Sequence, residues 1–129
     1  MNGCHILIVD DDTVVTCAYK TLFEGMGATV DTASDFNRAK TLIENQAYDV
    51  VLSDLRLSGT CSCEGFEIVR LARNAFPRAQ IIMVTAEDGD EVREKALRLG
   101  ADQVFEKPIC PMDILKHIQN EIRSRAHTA

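Results

Sequence analysis

Acidic side chains follow two apolar runs of the sequence. Asp10, Asp11 and Asp12 come directly after the run Ile6–Val9, and Asp54 follows the run 50–53. If the two runs are neighbouring strands of a parallel sheet, their carboxyl ends lie at one sheet edge, where open α/β sheets bind ligands. Two ionised carboxylates about 4 Å apart repel each other by roughly 4 kcal/mol at an effective dielectric near 20. The cluster is therefore expected to hold a hard divalent cation or a proton.

Two further apolar runs end in a hydroxyl and an amine. Thr85 and Ala86 follow the run 81–84, and Lys107 and Pro108 follow residues 104–106. At the same edge, these groups would set a cation and a hydrogen-bond donor beside the carboxylates. Phosphoryl transfer needs a positioned nucleophile and neutralised phosphoryl oxygens, and a carboxylate can be that nucleophile. The order and placement of these residues favour such chemistry.

The elements that must position these residues alternate along the chain. Five short apolar runs are separated by segments with helical spacing, and they lie at 5–10, 28–33, 49–54, 80–85 and 102–106. Strict alternation predicts an α/β fold, a doubly wound five-stranded parallel sheet with helices on both faces. The runs at 6–9, 50–52 and 81–84 are continuously apolar, as doubly covered strands should be, whereas the run at 28–33 alternates and suits an edge.

The helical segments carry apolar stripes. In the first, Val14, Ala18, Leu22 and Met26 repeat every four residues and are expected to face the core. Asp12 is expected to cap this helix rather than bind a ligand. The last helix is expected to begin at Pro111 and to bury four apolar residues, Ile114, Leu115, Ile118 and Ile122.

Composition limits the function classes. A chain of 129 residues with 46% hydrophobic content suits one domain, which we predict over 1–123, with 124–129 a polar tail or the start of a linker. The net charge of −6 argues against direct nucleic-acid binding. The sequence has no run long enough to span a membrane and no signal-peptide pattern, so a cytoplasmic location is expected. The pair Cys61 and Cys63 is expected to be incidental loop thiols, because it offers only two ligands and a structural zinc site needs four.

Taken together, these motifs resemble the receiver domain of two-component response regulators over nearly the whole chain. The resemblance implies a flavodoxin-like three-layer sandwich with five helices and strand order 2-1-3-4-5. It implies that Asp54 accepts a phosphoryl group from a histidine kinase or a small phosphodonor. It further implies that Asp10, Asp11, Asp54 and the backbone carbonyl of Arg56 bind Mg²⁺.

The resemblance also implies the remaining roles and the partners. Thr85 and Lys107 would each contact a phosphoryl oxygen, in a domain that assists its own phosphorylation and dephosphorylation without being a classical enzyme. The partners would be a sensor histidine kinase or phosphotransfer protein, and an output domain or protein. The output partner would bind the face made by the fourth and fifth helices and the last strand. The protein is expected to be a monomer or a phosphorylation-dependent dimer.

Two departures from the family pattern leave alternatives open. The segment after Asp54 is longer than usual, and Val104 stands where an aromatic residue is common, with Phe105 expected on the opposite side of its strand. A degenerate receiver that binds partners without accepting phosphate is one alternative. A haloacid-dehalogenase-type phosphatase is another, because Asp10–Val14 fits its D-x-D-x-[TV] signature. That alternative leaves Asp54 unexplained and needs a further acidic strand end after Lys107.

Overall fold

The computed structural model describes residues 3–55, 64–86 and 89–128, with residues 125–128 described through the backbone alone. Strands and helices alternate throughout these residues. They are β1 (His5–Val9), α1 (Thr13–Gly25), β2 (Thr29–Ala33), α2 (Phe36–Asn45), β3 (Val50–Asp54), α3 (Glu64–Ala75), β4 (Gln80–Thr85), α4 (Asp90–Leu99), β5 (Gln103–Glu106) and α5 (Pro111–Thr128). The predicted alternation is confirmed. No helix among the described residues is both long and apolar enough to cross a bilayer.

The five strands form one sheet in the order β2-β1-β3-β4-β5. Every neighbouring pair is parallel. The expected strand order is therefore confirmed, and so is the edge position of the alternating strand β2. The central strands β1, β3 and β4 are buried almost along their whole length, because helices cover both faces of the sheet.

The core consists of two layers of side chains, one on each face of the sheet. On one face, α2, α3 and α4 contribute residues such as Ile43, Ile68 and Ala96. On the other face, α1 and α5 contribute residues such as Phe23 and Ile114. This arrangement is the predicted three-layer sandwich. Val104 of β5 belongs to the first layer and Phe105 packs against the second, as the strand alternation predicted.

The buried side of α1 differs from the predicted stripe. Val14 is 77% exposed, whereas the buried residues of the helix are Thr16, Tyr19 and Phe23. A repeat of four residues drifts around a helix of 3.6 residues per turn. Spacings of three and four, as in 16, 19 and 23, keep one face on the sheet. The predicted stripe was therefore wrong at Val14, Ala18 and Met26, which are exposed, and of its four residues only Leu22 packs against the core.

The last helix also departs from expectation at its outer end. Ile114, Leu115 and Ile118 are buried as predicted, but Ile122 is 38% exposed. The side-chain amide of Gln80, the first residue of β4, donates a hydrogen bond to the carbonyl of Ile118 at 3.3 Å. Ile122 lies one turn further on, past the amino edge of the sheet, where the strands no longer cover it.

A polar cluster joins three segments near the edge strand β2. The hydroxyl of Tyr48 donates to Asp31 Oδ2 at 2.7 Å, and His5 Nε2 lies 2.8 Å from the same oxygen. The rings of His5 and Tyr48 are also in contact, with centroids 4.4 Å apart. One carboxylate on β2 thus links β1 to the segment that leads into β3.

Candidate functional site

The register of the sheet brings the predicted site residues to one edge. Val9, the last residue of β1, pairs with Ser53 of β3, so the residues that follow them, Asp10 and Asp54, lie side by side. Asp54 in turn pairs with Val84, which directly precedes Thr85. The backbone ladder continues past the last pair, since the amide of Lys107 donates to the carbonyl of Thr85 at 2.7 Å. Strand ends, rather than long loops, therefore set the positions of these residues.

Three carboxylates form a compact cluster at this edge. Oxygen atoms of Asp10, Asp11 and Asp54 all lie within 4.8 Å of one another. Asp10 is buried, Asp54 is half-buried and Asp11 is exposed. The structure thus brings together the predicted metal-binding side chains. Arg56, whose carbonyl was the fourth predicted ligand, lies outside the described residues.

Asp12 stands apart from this cluster and begins α1. Its Oδ1 accepts hydrogen bonds from the amides of Val14 at 3.0 Å and Val15 at 3.4 Å. Its own amide donates to Asp10 Oδ1 at 2.9 Å. The predicted helix cap is confirmed, and the cap also orients the carboxylate of Asp10.

Lys107 is the cation of the site. Its Nζ donates to Asp54 Oδ2 at 2.9 Å and lies 3.5 Å from Asp10 Oδ2. Burial lowers the pKa of Lys107, but the hydrogen bond to Asp54 and the charges of both aspartates outweigh burial and raise the pKa. The side chain is therefore an ammonium at neutral pH. The peptide bond between Lys107 and Pro108 is cis.

The charge balance of the cluster favours a divalent cation. One ammonium among three carboxylates leaves two negative charges on these four groups. Burial is the main cause that raises the pKa of Asp10, and the charges of Asp54 and Asp11 raise it further, although the hydrogen bond from Asp12 lowers it. A cation at the cluster would relieve that cost. An all-oxygen, partly exposed donor set suits Mg²⁺, which keeps several waters and takes one or two carboxylates.

The hydroxyl residue of the site ends the fully buried strand β4. Thr85 is 1% exposed, while the next residue, Ala86, is exposed. Thr85 pairs with Glu106, the residue before Lys107, so that the predicted hydroxyl and amine come from neighbouring strands. Ala86 lines the same surface pocket as Lys107.

Gly65 is a site residue that the sequence reasoning missed. Its amide donates to the carbonyl of Leu55 at 2.9 Å. A Cβ at this position would lie 2.4 Å from the Cα of Leu55 and 2.5 Å from the carbonyl oxygen of Asp54. The first turn of α3 therefore packs directly on the backbone of Asp54. A glycine near the start of a helical segment was the only local signal.

Tyr19 was also missed, because the predicted stripe of α1 faced elsewhere. Its ring is 5% exposed and lines a small internal cavity of about 20 Å³ together with Asp10, Asp54 and Lys107. Burial, followed by the negative charge of Asp10, raises the pKa of Tyr19 to about 12. The phenol therefore stays protonated at neutral pH.

Comparison with known proteins agrees with this geometry. The family model of the response regulator receiver domain matches residues 6–119. The transcriptional regulatory protein QseB of Escherichia coli is 31% identical over 119 residues, which are 92% of this chain and 53% of that protein. The alginate biosynthesis transcriptional regulatory protein AlgB of Pseudomonas aeruginosa is 27% identical over 97% of this chain and 27% of its own length. The chain thus spans about half of one relative and about a quarter of the other.

A solved structure shows the same likeness in three dimensions. The CheY-like response regulator receiver domain protein from Methanospirillum hungatei is 31% identical to this chain. It superposes with a TM-score of 0.87, and the match covers 98% of each chain. The likeness therefore includes the whole architecture of sheet and helices.

Proposed function

The chain belongs to the response regulator receiver domain family, and on that premise we propose that Asp54 accepts a phosphoryl group in a Mg²⁺-dependent reaction. Domains of this family are phosphoacceptor modules of two-component signalling rather than classical enzymes. The observation that carries the proposal is the contact of 2.9 Å between Lys107 Nζ and Asp54 Oδ2. It sets a cation where the oxygens of an incoming phosphoryl group need one, beside a carboxylate that is still partly open to solvent.

In the proposed reaction, the carboxylate of Asp54 attacks phosphorus in line with the leaving group. Lys107 then exchanges its contact with the carboxylate for one with a phosphoryl oxygen, and Thr85 donates a hydrogen bond to another. Asp10 and Asp11 would hold Mg²⁺ together with Asp54. Bound Mg²⁺ would supply charge neutralisation at the transferred group. The protein's own contribution is position and electrostatics, which is most of what phosphoryl transfer requires.

The signal would leave the site through β5 and the segments beside it. Lys107 directly follows β5, and Thr85 directly precedes the segment that leads into α4. A change of partner at either side chain therefore bears on the face made by α4, β5 and α5. We expect phosphorylation to shift a pre-existing equilibrium of that face. The partners would be a sensor histidine kinase or phosphotransfer protein and an output domain or protein, with monomer or phosphorylation-dependent dimer as the state of assembly.

Two alternatives make different predictions. A degenerate receiver would keep the fold but accept no phosphoryl group. A haloacid-dehalogenase-type phosphatase would need another acidic strand end after Lys107. The match of the receiver domain family model to residues 6–119 speaks against the phosphatase and leaves the degenerate receiver as the alternative to test.

The test is incubation with Mg²⁺ and acetyl phosphate, followed by intact mass measurement. We expect one phosphoryl adduct on the native chain and none on Asp54→Asn. Glu44→Gln, which removes a carboxylate from the exposed side of α2, is the matched control and should label normally. Absence of the adduct on the native chain, under conditions that label a known receiver, would refute the proposal in favour of the degenerate form.

The relay to the output face needs a separate measurement. Amide hydrogen exchange of the phosphorylated chain should change within residues 89–118, and Asp54→Asn treated in the same way should show no change. A response confined to the neighbourhood of Asp54 would contradict the relay while leaving phosphorylation itself intact.

A further inference from the structure

An apolar groove opens beside the carboxylate cluster. It has a volume of about 610 Å³, which lies in the range of about 300–1,000 Å³ typical of small-molecule sites. One wall is the first turns of α1, and the other is the segment from Lys107 into α5. Apolar and small side chains dominate the lining, and the main ones are Val14, Val15, Ala18, Ile109 and Pro111.

The groove holds the most exposed large apolar side chain among the described residues. Val14 is 77% exposed, so the described strands and helices leave most of its side chain uncovered. A side chain of this kind is costly to leave in water, because removing apolar surface from water is favourable. Its position at the rim of the groove would be accounted for by a ligand with an apolar part.

Both walls of the groove are held in place. The carboxylate of Asp12 accepts hydrogen bonds from the amides of Val14 and Val15, which holds the first turn of α1. Pro111 is the first residue of α5, where its ring matches the dihedral angle of a helix. A site that needs little ordering loses little entropy on binding.

The inner end of the groove is charged. Lys107 lines it, and the ammonium of Lys107 also contacts Asp54 at 2.9 Å. The second charged residue of the lining, Asp12, directs its carboxylate to the amino end of α1, where the helix dipole offsets part of its charge. The groove therefore joins a cationic, reactive end to an apolar body.

We propose that this groove binds the hydrocarbon tail of a small acyl phosphate, so that acyl phosphates with longer apolar chains phosphorylate Asp54 faster than acetyl phosphate does. The proposal rests on Asp54 being the phosphoacceptor. In the reaction, a carboxylate oxygen of Asp54 forms a bond to phosphorus and the bond from phosphorus to the acyl oxygen breaks. The fatty acid leaves as a carboxylate, no proton moves, and the total charge is unchanged. The phosphoryl group occupies the Lys107 end while the tail lies along Val14 and Ile109.

The magnitude follows from the area that the tail removes from water. A fully buried methylene contributes a factor of about four to binding. The groove is open on one side, so we expect about half of that free energy, which is a factor of about two for each methylene. Butyryl phosphate, with two more methylenes than acetyl phosphate, should therefore label the chain about four times faster.

The experiment measures the initial labelling rate with acetyl, propionyl and butyryl phosphate at equal, subsaturating concentrations. Intact mass gives the labelled fraction, with Mg²⁺ present throughout. The three carboxylic acids released have nearly the same acidity, so the bonds that break are nearly equally reactive. Val14→Ser removes apolar surface from the rim of the groove and should lower the ratio of butyryl to acetyl rates by about half or more. Met26→Ser, an exposed apolar residue just after the other end of α1, is the matched control and should keep the ratio.

The outcomes separate this inference from the proposed function. If acetyl phosphate labels the chain normally and the ratio of butyryl to acetyl phosphate rates is one or less, the groove does not bind the tail. The phosphoacceptor proposal would then still stand. A raised ratio that Val14→Ser leaves unchanged would also overturn the groove, because the preference would then arise elsewhere. Failure of every donor would overturn both proposals together. A ratio near four that falls in Val14→Ser and persists in Met26→Ser would support the groove.

Discussion

Replacing Gly65 with alanine should weaken the protein where α3 meets the backbone of the phosphoacceptor. The new Cβ would lie 2.4 Å from the Cα of Leu55 and 2.6 Å from its carbonyl oxygen. Ordinary contacts of a Cβ lie about 1 Å further out. The obstacles are backbone atoms, so no side-chain rotation can relieve the overlap. Either α3 moves away from the strand end or the end of β3 shifts.

The cost can be worked out from these contacts. Overpacking of this kind costs about 1–3 kcal/mol. Lengthening the hydrogen bond from the Gly65 amide to Leu55 adds about 1 kcal/mol. The higher helix propensity of alanine offsets about 1 kcal/mol of this loss in the free energy of unfolding. The net loss in the free energy of unfolding should be about 1–3 kcal/mol, a large share of the 5–15 kcal/mol typical of a domain.

Gly25 offers a matched control in the same fold. It lies in α1, and a Cβ at this position would meet nothing within 4 Å. Gly25→Ala should therefore stabilise the chain by up to about 1 kcal/mol. Urea unfolding should separate the two alanine variants by about 3 kcal/mol, which corresponds to a midpoint difference of at least about 1 M.

A second readout connects the packing defect to the site. Movement of the end of β3 would displace the carboxylate of Asp54 from Lys107, so labelling by acetyl phosphate should be slower in Gly65→Ala even where the variant is fully folded. Free energies of unfolding that agree within about 0.5 kcal/mol for the two alanine variants would refute the expected packing defect. A destabilised Gly65→Ala that labels at the native rate would refute its connection to the site, because the contact would then support the fold without positioning the acceptor.

Three further predictions concern other parts of the molecule. Partial burial raises the pKa of Asp31, but the hydrogen bond from Tyr48 helps to outweigh burial and hold the pKa below its ordinary 3.8. The ionised carboxylate therefore contributes stability that is present above that pH and is lost as the pH falls through the pKa of the folded state. Tyr48→Phe should remove this contribution and flatten the acid limb of a plot of urea midpoint against pH. Burial and neighbouring charges raise the pKa of Asp10, so Asp10→Asn should increase the stability of the chain at pH 7 without Mg²⁺. The same variant should reduce the stability that Mg²⁺ adds to the native chain, which is about 1.4 kcal/mol at ten times the Kd of Mg²⁺. A lower urea midpoint of Asp10→Asn without Mg²⁺ would contradict this prediction. Burial, chiefly, raises the pKa of the Cys4 thiol to about 11, so iodoacetamide should alkylate the exposed Cys17 long before Cys4 in peptide mapping, and equal rates would be inconsistent with the buried thiol.

The chemistry of this edge could be predicted because it follows directly from primary structure. Asp10, Asp54, Thr85 and Lys107 each end or follow an apolar run, and parallel strands bring such ends together without further information. The alternation of runs and helical segments was enough to predict a parallel sheet. The strand order came from the resemblance to a family and not from the pattern, since alternation alone is compatible with several orders.

The remaining features depend on contacts between distant segments. Tyr19 faces the site because of the rotation of α1 against the sheet. The repeat of apolar residues predicted that rotation wrongly, since Val14, Ala18 and Met26 are exposed. Ile122 is exposed because α5 extends beyond the amino edge of the sheet. The role of Gly65 is a close approach between a helix and a strand end, which leaves no mark in the residues around it. The predicted part of the Arg56 carbonyl in metal binding stays a prediction.

The ladder that continues from Thr85 to Lys107 has a consequence for protein engineering. The carboxylate of Asp54, the hydroxyl of Thr85 and the amine of Lys107 are attached to the ends of β3, β4 and β5. Substitutions that leave these strand ends and the close approach at Gly65 unchanged should therefore keep the reacting atoms in register. Engineered variants of the surrounding surface would then vary how fast different donors reach the acceptor or how long the modification lasts.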